Sequence, residues 1–206
     1  MLRHGELVQS GILCGHTDIA LSECGKQQLN DAVAKLPTIS HCYSSPLVRC
    51  QAFAEQFCRK NQLSLQVLAQ LKEMNFGDWD GQDYESLWQE RKLLNEETPT
   101  LGAFWQNPWQ CSPPNGETMI DFTTRVDAVW QQLLQQITEL SQVTTKSENI
   151  LVLSHGGVIR YILAKILDLP LPGTAHMTQL DVPYGGLIRL QVFIDSTGKA
   201  WPKLML

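Results

Sequence analysis

This sequence lacks a basic block, a metal-ligand cluster and a long apolar run. Its 206 residues carry a formal net charge of −5 at pH 7, and lysine and arginine are scattered along the chain. It therefore has no general positive field of the kind that nucleic acids and anionic membranes attract. We expect neither as a partner, so an anionic ligand would have to be held by a few placed cations.

The spacing of the cysteines argues against a zinc site and against a fold that depends on disulfide bonds. The six cysteines form no C-x-x-C pair and no cysteine–histidine cluster at zinc spacing. A chain of this length can build its own core without disulfide bonds. No apolar run reaches the length of a signal peptide or a membrane span. We therefore predict a cytoplasmic protein with reduced thiols, and we expect it to use no metal and no cofactor.

The remaining composition is that of an ordinary globular protein, with 43% apolar and 18% charged residues. Strand-like runs alternate with amphipathic helices, and the run ILVL at 150–153 is a continuous apolar strand. Such an unalternating run is typical of a parallel strand buried on both faces. We predict a single domain, 1–206, with a three-layer α/β/α sandwich around a mostly parallel sheet. A polar stretch at about 81–116 is predicted to be a helical insertion that caps the ligand site of this fold.

Three helix starts can be located from residues that favour them. Ser22 precedes apolar residues at helical spacing, and Pro46 follows a tight turn of two serines. Thr118 and Asp121 form a capping box before a long amphipathic pattern. We therefore predict helices that begin after Ser22, at Pro46 and after Thr118.

His155 follows the buried strand directly and precedes a predicted helix. Open α/β sheets bind ligands at this edge, where the next helix offers free N–H groups and the positive end of its dipole. Gly156 and Gly157 would let the backbone approach an anion closely. Taken alone, the pattern fits an anion site and a hydrogen-bonded loop histidine equally well.

Two further candidates lie at other turns. Arg49 falls in the first turn of the helix predicted at Pro46, where a cation opposes the helix dipole and a bound anion would remove the conflict. A solvent-facing arginine is the alternative. Glu73 lies in a loop of aromatic residues and glycines, where partial burial would suit a general acid. Asp78 and Asp80 compete for that role from the same loop.

Arg3 and His4, at the start of the chain, complete a chemical set if they share a pocket with these residues. Two guanidinium groups can grip phosphate oxygens bidentately, and a neutral imidazole can attack phosphorus. Neighbouring cations favour the neutral imidazole, a second histidine can stabilise the transferring group, and a carboxylic acid can protonate the leaving oxygen. The set predicts phosphoryl transfer without a metal ion.

Five motifs, RHGE, SSPLVR, KEMNFGDWDG, NGET and LVLSHGGVI, occur in the order found in the histidine phosphatase (phosphoglycerate mutase-like) superfamily, which this chain resembles. The resemblance implies His4 as the residue that becomes phosphorylated and Glu73 as the proton donor. It assigns His155 a second role, stabilising the transition state. It implies contacts to the substrate phosphate from Arg3, Arg49 and His155. Gly156 is a further candidate because its backbone can approach an anion closely, and Ser10 falls near the place of an asparagine that often joins the family's phosphate pocket. Family members usually carry a longer apolar strand before this histidine, so a short first strand is expected here.

The resemblance implies a metal-independent phosphomonoesterase that acts on a small phosphorylated metabolite. GHTDIALSECG, EMNFGDWDG and PPNGET are most similar to enzymes that dephosphorylate α-ribazole 5′-phosphate in cobalamin nucleotide-loop assembly. A phosphoglycerate mutase or a broad-specificity sugar phosphatase on the same pocket is one alternative. A catalytically silent phospho-binding module is another, although binding alone needs no nucleophile.

Tryptophans of the insertion are candidates for substrate contacts. Short helices are predicted at 83–94 and 100–106, and Trp105 and Trp109 share a face if the second helix continues. Together with Trp88 they could form a flat wall that stacks on a benzimidazole riboside. The alternative interpretation is that these side chains anchor the insertion to the body.

Overall fold

The computed structural model describes residues 1–89, 99–144 and 147–206. Its helices and strands of the sandwich run in chain order: β1 (Leu2–Arg3), α1 (Glu23–Val33), β2 (His41–Ser44), α2 (Val48–Asn61), β3 (Leu65–Val67), α3 (Tyr84–Gln89), α4 (Leu101–Gln106), α5 (Met119–Val143), β4 (Ile150–Ser154), α6 (Gly156–Ile166), α7 (Ala175–Thr178), β5 (Arg189–Ile194) and β6 (Ala200–Met205). Short 3₁₀ turns lie at Ala69–Leu71 and Gly77–Trp79. The part of the predicted helix 83–94 beyond Gln89 lies outside the described residues.

Four parallel strands form the central sheet, in the order β1-β4-β2-β3. Alternate residues of β4 face two different cores. Leu151 and Leu153 pack with residues of α1 and α2, whereas Val152 packs with residues of α5 and α6. Each such side chain stabilises the fold by about 2 kcal/mol through burial. The predicted three-layer sandwich with a mostly parallel sheet is confirmed.

β1 has two residues and is short, as predicted. Its free edge forms antiparallel hydrogen bonds with the segment 186–188. The Met1 amine donates to the Ile188 carbonyl at 2.6 Å, and the Ile188 N–H returns a bond to the Met1 carbonyl at 2.8 Å. The Arg3 N–H donates to the Gly186 carbonyl at 3.1 Å. Antiparallel pairing with this segment therefore supplements the two residues that pair with β4.

Two of the predicted helix starts are confirmed by their capping bonds. The Ser22 hydroxyl accepts the Gly25 N–H at 2.9 Å, and the Thr118 hydroxyl accepts the Asp121 N–H at 3.0 Å. Each bond satisfies one of the backbone donors that a helix leaves free in its first turn.

The predicted start at Pro46 is wrong by two residues. Leu47 is extended, with φ −67° and ψ 136°, and α2 begins at Val48. The Asp18 carboxylate, from a distant loop, accepts the Val48 N–H at 2.7 Å and so caps the helix. A tertiary contact rather than the local proline preference sets this boundary, and Arg49 remains in the first turn.

Asp80 holds the loop at 15–17 in place. Its carboxylate accepts the backbone N–H groups of Gly15, His16 and Thr17 at 3.0, 2.6 and 2.9 Å, and the Thr17 hydroxyl at 2.6 Å. Burial by itself would raise the pKa of Asp80, but the bonds from the loop outweigh it, so the pKa is lowered. This carboxylate is an anion with a structural task.

We predict that Asp80→Asn lowers the free energy of unfolding by about 2–3 kcal/mol, because an amide cannot accept bonds from all of these donors. Asp78 is exposed, and among the described residues its carboxylate accepts one bond, from the Asn115 amide at 2.9 Å. Asp78→Asn is therefore the matched control, with an expected change below about 0.5 kcal/mol. Urea denaturation at pH 7 measures both.

The pH dependence of the same measurement gives a second check. Because folding lowers the pKa of Asp80, its contribution is complete above the pKa of the unfolded chain and is lost as the pH falls through the folded value. The difference between wild type and Asp80→Asn should shrink in acid. Equal unfolding free energies of the two proteins at pH 7 would contradict the structural role.

Candidate active site

The carboxyl ends of three neighbouring strands meet at one edge of the sheet. His4 follows β1, Ser45 follows β2 and His155 follows β4. Arg3 lies opposite Ser154 in the register of β1 and β4, so the residues that come next are neighbours. The ring centroids of His4 and His155 are 5.2 Å apart. The structure thus brings together two histidines that are 151 positions apart in the sequence.

His4 is buried and neutral. Burial lowers its pKa to about 3, the nearby charges of Arg49 and Arg3 act in the same direction, and the bond to Gly5 opposes them. The Nδ1 atom lies 2.8 Å from the Gly5 carbonyl oxygen, which can only accept. Nδ1 therefore carries the proton, and the lone pair of the neutral ring is on Nε2.

Arg49 is fully buried, and its guanidinium is fixed by three bonds. Its Nε donates to Nδ1 of His155 at 3.2 Å, Nη1 to the Thr17 carbonyl at 2.9 Å and Nη2 to the Gly15 carbonyl at 2.5 Å. A guanidinium has five N–H donors, so two remain for another partner. Since Asp80 holds the loop that carries both carbonyls, it positions Arg49 indirectly.

His155 is also buried and neutral. Its pKa lies well below the ordinary value, because of burial first and then the charges of Arg49 and His4. Nδ1 accepts the Arg49 bond, so Nε2 carries the proton and donates to the Ser45 hydroxyl at 2.7 Å. Both ring nitrogens therefore have protein partners in this structure.

Arg3 lines the other side of His4. Its Nη1 donates to the Val182 carbonyl at 2.5 Å, and its guanidinium lies 4.2 Å from the ring centre of Tyr184. The Tyr184 ring is in turn 5.5 Å from the ring of His4. The Nε of Arg3 is buried and has no hydrogen-bond partner within the described residues. A bound anion would satisfy this donor.

Among the three candidate acids, only Glu73 is bonded to the helix that follows β4. Its carboxylate accepts the N–H of Met74 at 3.1 Å and the N–H of Gly157 at 2.9 Å. A Cβ atom at Gly157 would overlap the carboxylate, so a larger residue there would displace Glu73 from this position. Asp80 is engaged by the loop at 15–17, and Asp78 is exposed.

The remaining two predicted phosphate contacts differ in position. Gly156 lies between two guanidinium groups: a Cβ built on it would be 3.4 Å from Nε of Arg3 and 3.3 Å from Nη2 of Arg160. Ser10 is exposed, and no hydrogen bond joins it to the other predicted site residues in the part of the chain that the structure describes. The structure does not bring Ser10 to the histidine pair.

A pocket of about 50 Å³, partly open to solvent, adjoins the site through Glu73 and Gly157. Most of its walls are apolar, and they include Met74, Phe76, Phe104, Trp105, Met119 and Phe122. Arg160 and His176 are its other polar lining residues. Trp88 is half exposed and stacks on Tyr84, with 6.4 Å between the ring centres, and it does not line this pocket.

Trp105 and Trp109 would share a helix face only if the second helix of the insertion continued to Trp109, and it does not. The helix α4 ends before Pro108, because a proline disfavours helical backbone in the residue that precedes it. Trp109 lies beyond that end, and its Nε1 donates to the Gly173 carbonyl at 3.0 Å. Trp105 lines the pocket, whereas Trp109 anchors the insertion to a neighbouring loop.

Sequence reasoning missed three residues that the structure places around the site. Arg160 is four positions after Gly156, so the two share a helix face, and this spacing is a signal that could have found it. Tyr184 lies in a loop and His176 in a four-residue helix. Neither segment has a periodic pattern that points to the site.

The positive charge around the site comes from Arg3, Arg49 and Arg160. Within 1–89, 99–144 and 147–206, no group of three or more histidine, cysteine, aspartate or glutamate side chains is arranged to hold a metal ion. Over the same ranges, no helix combines the length and the apolar character needed to cross a membrane.

Comparison with curated proteins gives relatives with phosphatase names. An adenosylcobalamin/alpha-ribazole phosphatase of Escherichia coli is 30% identical over 185 residues, which are 85% of this chain and 82% of that protein. A glucosyl-3-phosphoglycerate phosphatase of Mycobacterium tuberculosis is 26% identical over 195 residues, covering 87% of this chain and 83% of that protein.

Comparisons with solved structures and with protein families also find phosphatases. The alpha-ribazole phosphatase of Shigella flexneri superposes with a TM-score of 0.73 at 26% identity, covering 100% of this chain and 93% of that one. The family described as "Histidine phosphatase superfamily (branch 1)" matches residues 1–196. The chain therefore belongs to this superfamily, and it is a phosphoric monoester hydrolase.

Proposed function

We propose that this hydrolase works through a phosphohistidine formed on His4, without a metal ion, and that its substrate is α-ribazole 5′-phosphate. The state of His4 carries the proposal. The ring is neutral, its Nδ1 proton is held by the Gly5 carbonyl, and its nucleophilic Nε2 lies among two arginines. These features are what attack on a phosphate ester requires.

In the first half-reaction, Nε2 of His4 attacks phosphorus while the bond from phosphorus to the leaving oxygen breaks. The free Nε–H of Arg3 and the two remaining donors of Arg49 bind the non-bridging oxygens. Glu73, in its protonated form, gives a proton to the leaving oxygen. The Nε2–H of His155 turns from the Ser45 hydroxyl to a phosphoryl oxygen as charge develops.

In the second half-reaction, the Glu73 carboxylate takes a proton from water, and the oxygen of that water attacks the phosphohistidine. The bond between phosphorus and Nε2 breaks, which returns its electron pair to His4 and releases phosphate. Glu73 is again protonated and ready for the next substrate. The Gly5 carbonyl keeps the Nδ1 proton in place throughout, so the ring returns to its nucleophilic tautomer.

Two observations support α-ribazole 5′-phosphate as the substrate. The relatives in Escherichia coli and Salmonella, at 30% and 28% identity, bear the name of this activity. The pocket beside Glu73 has mostly apolar walls and includes the Trp105 ring, as a flat benzimidazole riboside would need. A sugar or glycerate leaving group would leave most of its polar groups unpaired there.

We expect His4→Ala to lose at least about 10⁴-fold in kcat, because it removes the nucleophile of both half-reactions. With p-nitrophenyl phosphate, whose leaving group needs no proton, Glu73→Gln should still form the phosphoenzyme and slow its hydrolysis. An acid-labile phosphoenzyme should then accumulate under rapid quench. Asp78→Asn is the control and should behave as wild type, and EDTA should have no effect. Full activity of His4→Ala would refute the mechanism.

The low pKa of His4 predicts activity of the nucleophile in mild acid. With a pKa of about 3, the ring stays neutral at pH 5, whereas a histidine of ordinary pKa would be only about 3% neutral. Nitrogen chemical shifts of the free protein measure this directly. The His4 signals should remain those of a neutral Nδ1–H ring from pH 7 to pH 5. Protonation of this ring with a midpoint near 6.5 would contradict the geometry.

Separate substitutions of Trp105 and Trp109 distinguish stacking on the substrate from anchoring of the insertion. We predict that Trp105→Ala raises KM for α-ribazole 5′-phosphate about tenfold, because a stacked ring contributes on the order of 1 kcal/mol or more. Turnover of glycerol 2-phosphate, which is too small to reach the ring, should change less than twofold. Trp109→Ala should instead lower the melting temperature and leave both substrates unaffected. Intact α-ribazole 5′-phosphate turnover in Trp105→Ala would exclude stacking.

A further inference from the structure

Arg160 is a cation on the wall of the leaving-group pocket. Its Nε donates to the Gly156 carbonyl at 3.1 Å and its Nη1 to the Met177 carbonyl at 3.4 Å. No aspartate or glutamate lies within 4.0 Å of its nitrogens among the residues described. These two bonds fix the guanidinium, and Nη2 is left to a ligand.

Arg160 lies between Arg3, which we expect to bind the phosphate, and the apolar pocket beside Glu73. Arg3 and Arg160 approach Gly156 together, at 3.4 Å and 3.3 Å from the place where a Cβ atom would stand. Arg160 also lines the pocket with Glu73 and Gly157. A phosphate held by Arg3 beside His4 would therefore direct its leaving group past Arg160.

The surroundings select the kind of group that Arg160 can bind. The walls are mostly apolar and aromatic, so a polar ligand group there must be paired to offset its loss of water. A carboxylate on the leaving group would lose more hydration against these apolar walls than a neutral acceptor would. His176 adds no charge, because burial, followed by the charge of Arg160, lowers its pKa to about 4. A neutral acceptor on a flat ring fits these conditions.

We propose that Nη2 of Arg160 donates a hydrogen bond to a neutral acceptor on the edge of a flat, heterocyclic leaving group. Arg160 is then a specificity-determining residue for phosphate esters of aromatic nitrogen heterocycles. The inference deepens the proposed function, on which it rests for the orientation of the phosphate at His4. It does not require α-ribazole to be the physiological leaving group.

Esters of the same shape test this contact: 1-naphthyl phosphate and a set of quinolyl phosphates, each of which differs from it by one ring nitrogen. Arg160→Gln should lower kcat/KM about tenfold for the quinolyl ester that wild type prefers, the value of one hydrogen bond to a charged group. For naphthyl phosphate the loss should stay below about twofold. Comparing each variant with wild type on the same ester removes the difference in leaving-group acidity.

Lys165→Gln is the matched control, because it removes a cation from the same helix at a side chain that bonds to Asp127. It should change neither ester. A carboxy-substituted naphthyl phosphate and inhibition by inorganic phosphate complete the set. If Arg160→Gln acts most on the carboxylated ester, or weakens all esters and phosphate equally, the proposal is overturned. Equal activity of Arg160→Gln and wild type on every ester overturns it as well.

The proposed function and this inference can fail separately. If α-ribazole 5′-phosphate is not hydrolysed, the substrate proposal fails while the comparison of the aryl esters stands. If no phosphohistidine forms, the mechanism fails, and calorimetric binding of the same esters to wild type and Arg160→Gln still measures the contact. Melting temperatures of both variants show whether either loss comes from unfolding.

Discussion

The buried guanidinium of Arg49 connects the fold to the chemistry of the site. It is fully buried, and a charge in such a place is stable only when its donors are paired. Three bonds, to His155, Thr17 and Gly15, meet part of that need and join the end of β4 to the loop at 15–17. The two donors that remain give the site beside His4 and His155 a preference for an anion.

Burial, reinforced by the same charge, keeps the imidazoles neutral. His4 and His155 have lowered pKa values through burial first and Arg49 next, and each ring has a fixed tautomer. The two tautomers are opposite: Gly5 holds the proton of His4 on Nδ1, whereas Ser45 holds that of His155 on Nε2. One ring therefore presents a lone pair and the other a donor, from residues of the same type. Arg49 fixes the tautomer of His155 through its own bond to Nδ1 of that ring.

Sequence patterns predicted the parts of the structure that local chemistry determines. Burial of β4 on both faces, the cap at Ser22 and the cap at Thr118 follow from residue types and spacing alone, and the structure confirms them. The start of α2 and the separation of the three acids depend on partners distant in sequence. Asp18 caps α2 from a distant loop. The Asp80 carboxylate accepts bonds from a loop more than 60 positions earlier in the sequence, so it is not the candidate acid.

The phosphate side and the leaving-group side differ in how far local patterns determine them. Strand ends and helix starts bring Arg3, His4, Arg49 and His155 together, because the register of a parallel sheet fixes where these positions meet. The pocket beyond Glu73 combines short helices and loops whose packing has no sequence period, such as the segment that carries His176. The type of reaction can therefore be predicted from sequence motifs. The choice of substrate depends on how the insertion and the α6–α7 region pack. Arg160 belongs to both, since its helix position is local and its ligand is set by the pocket around it.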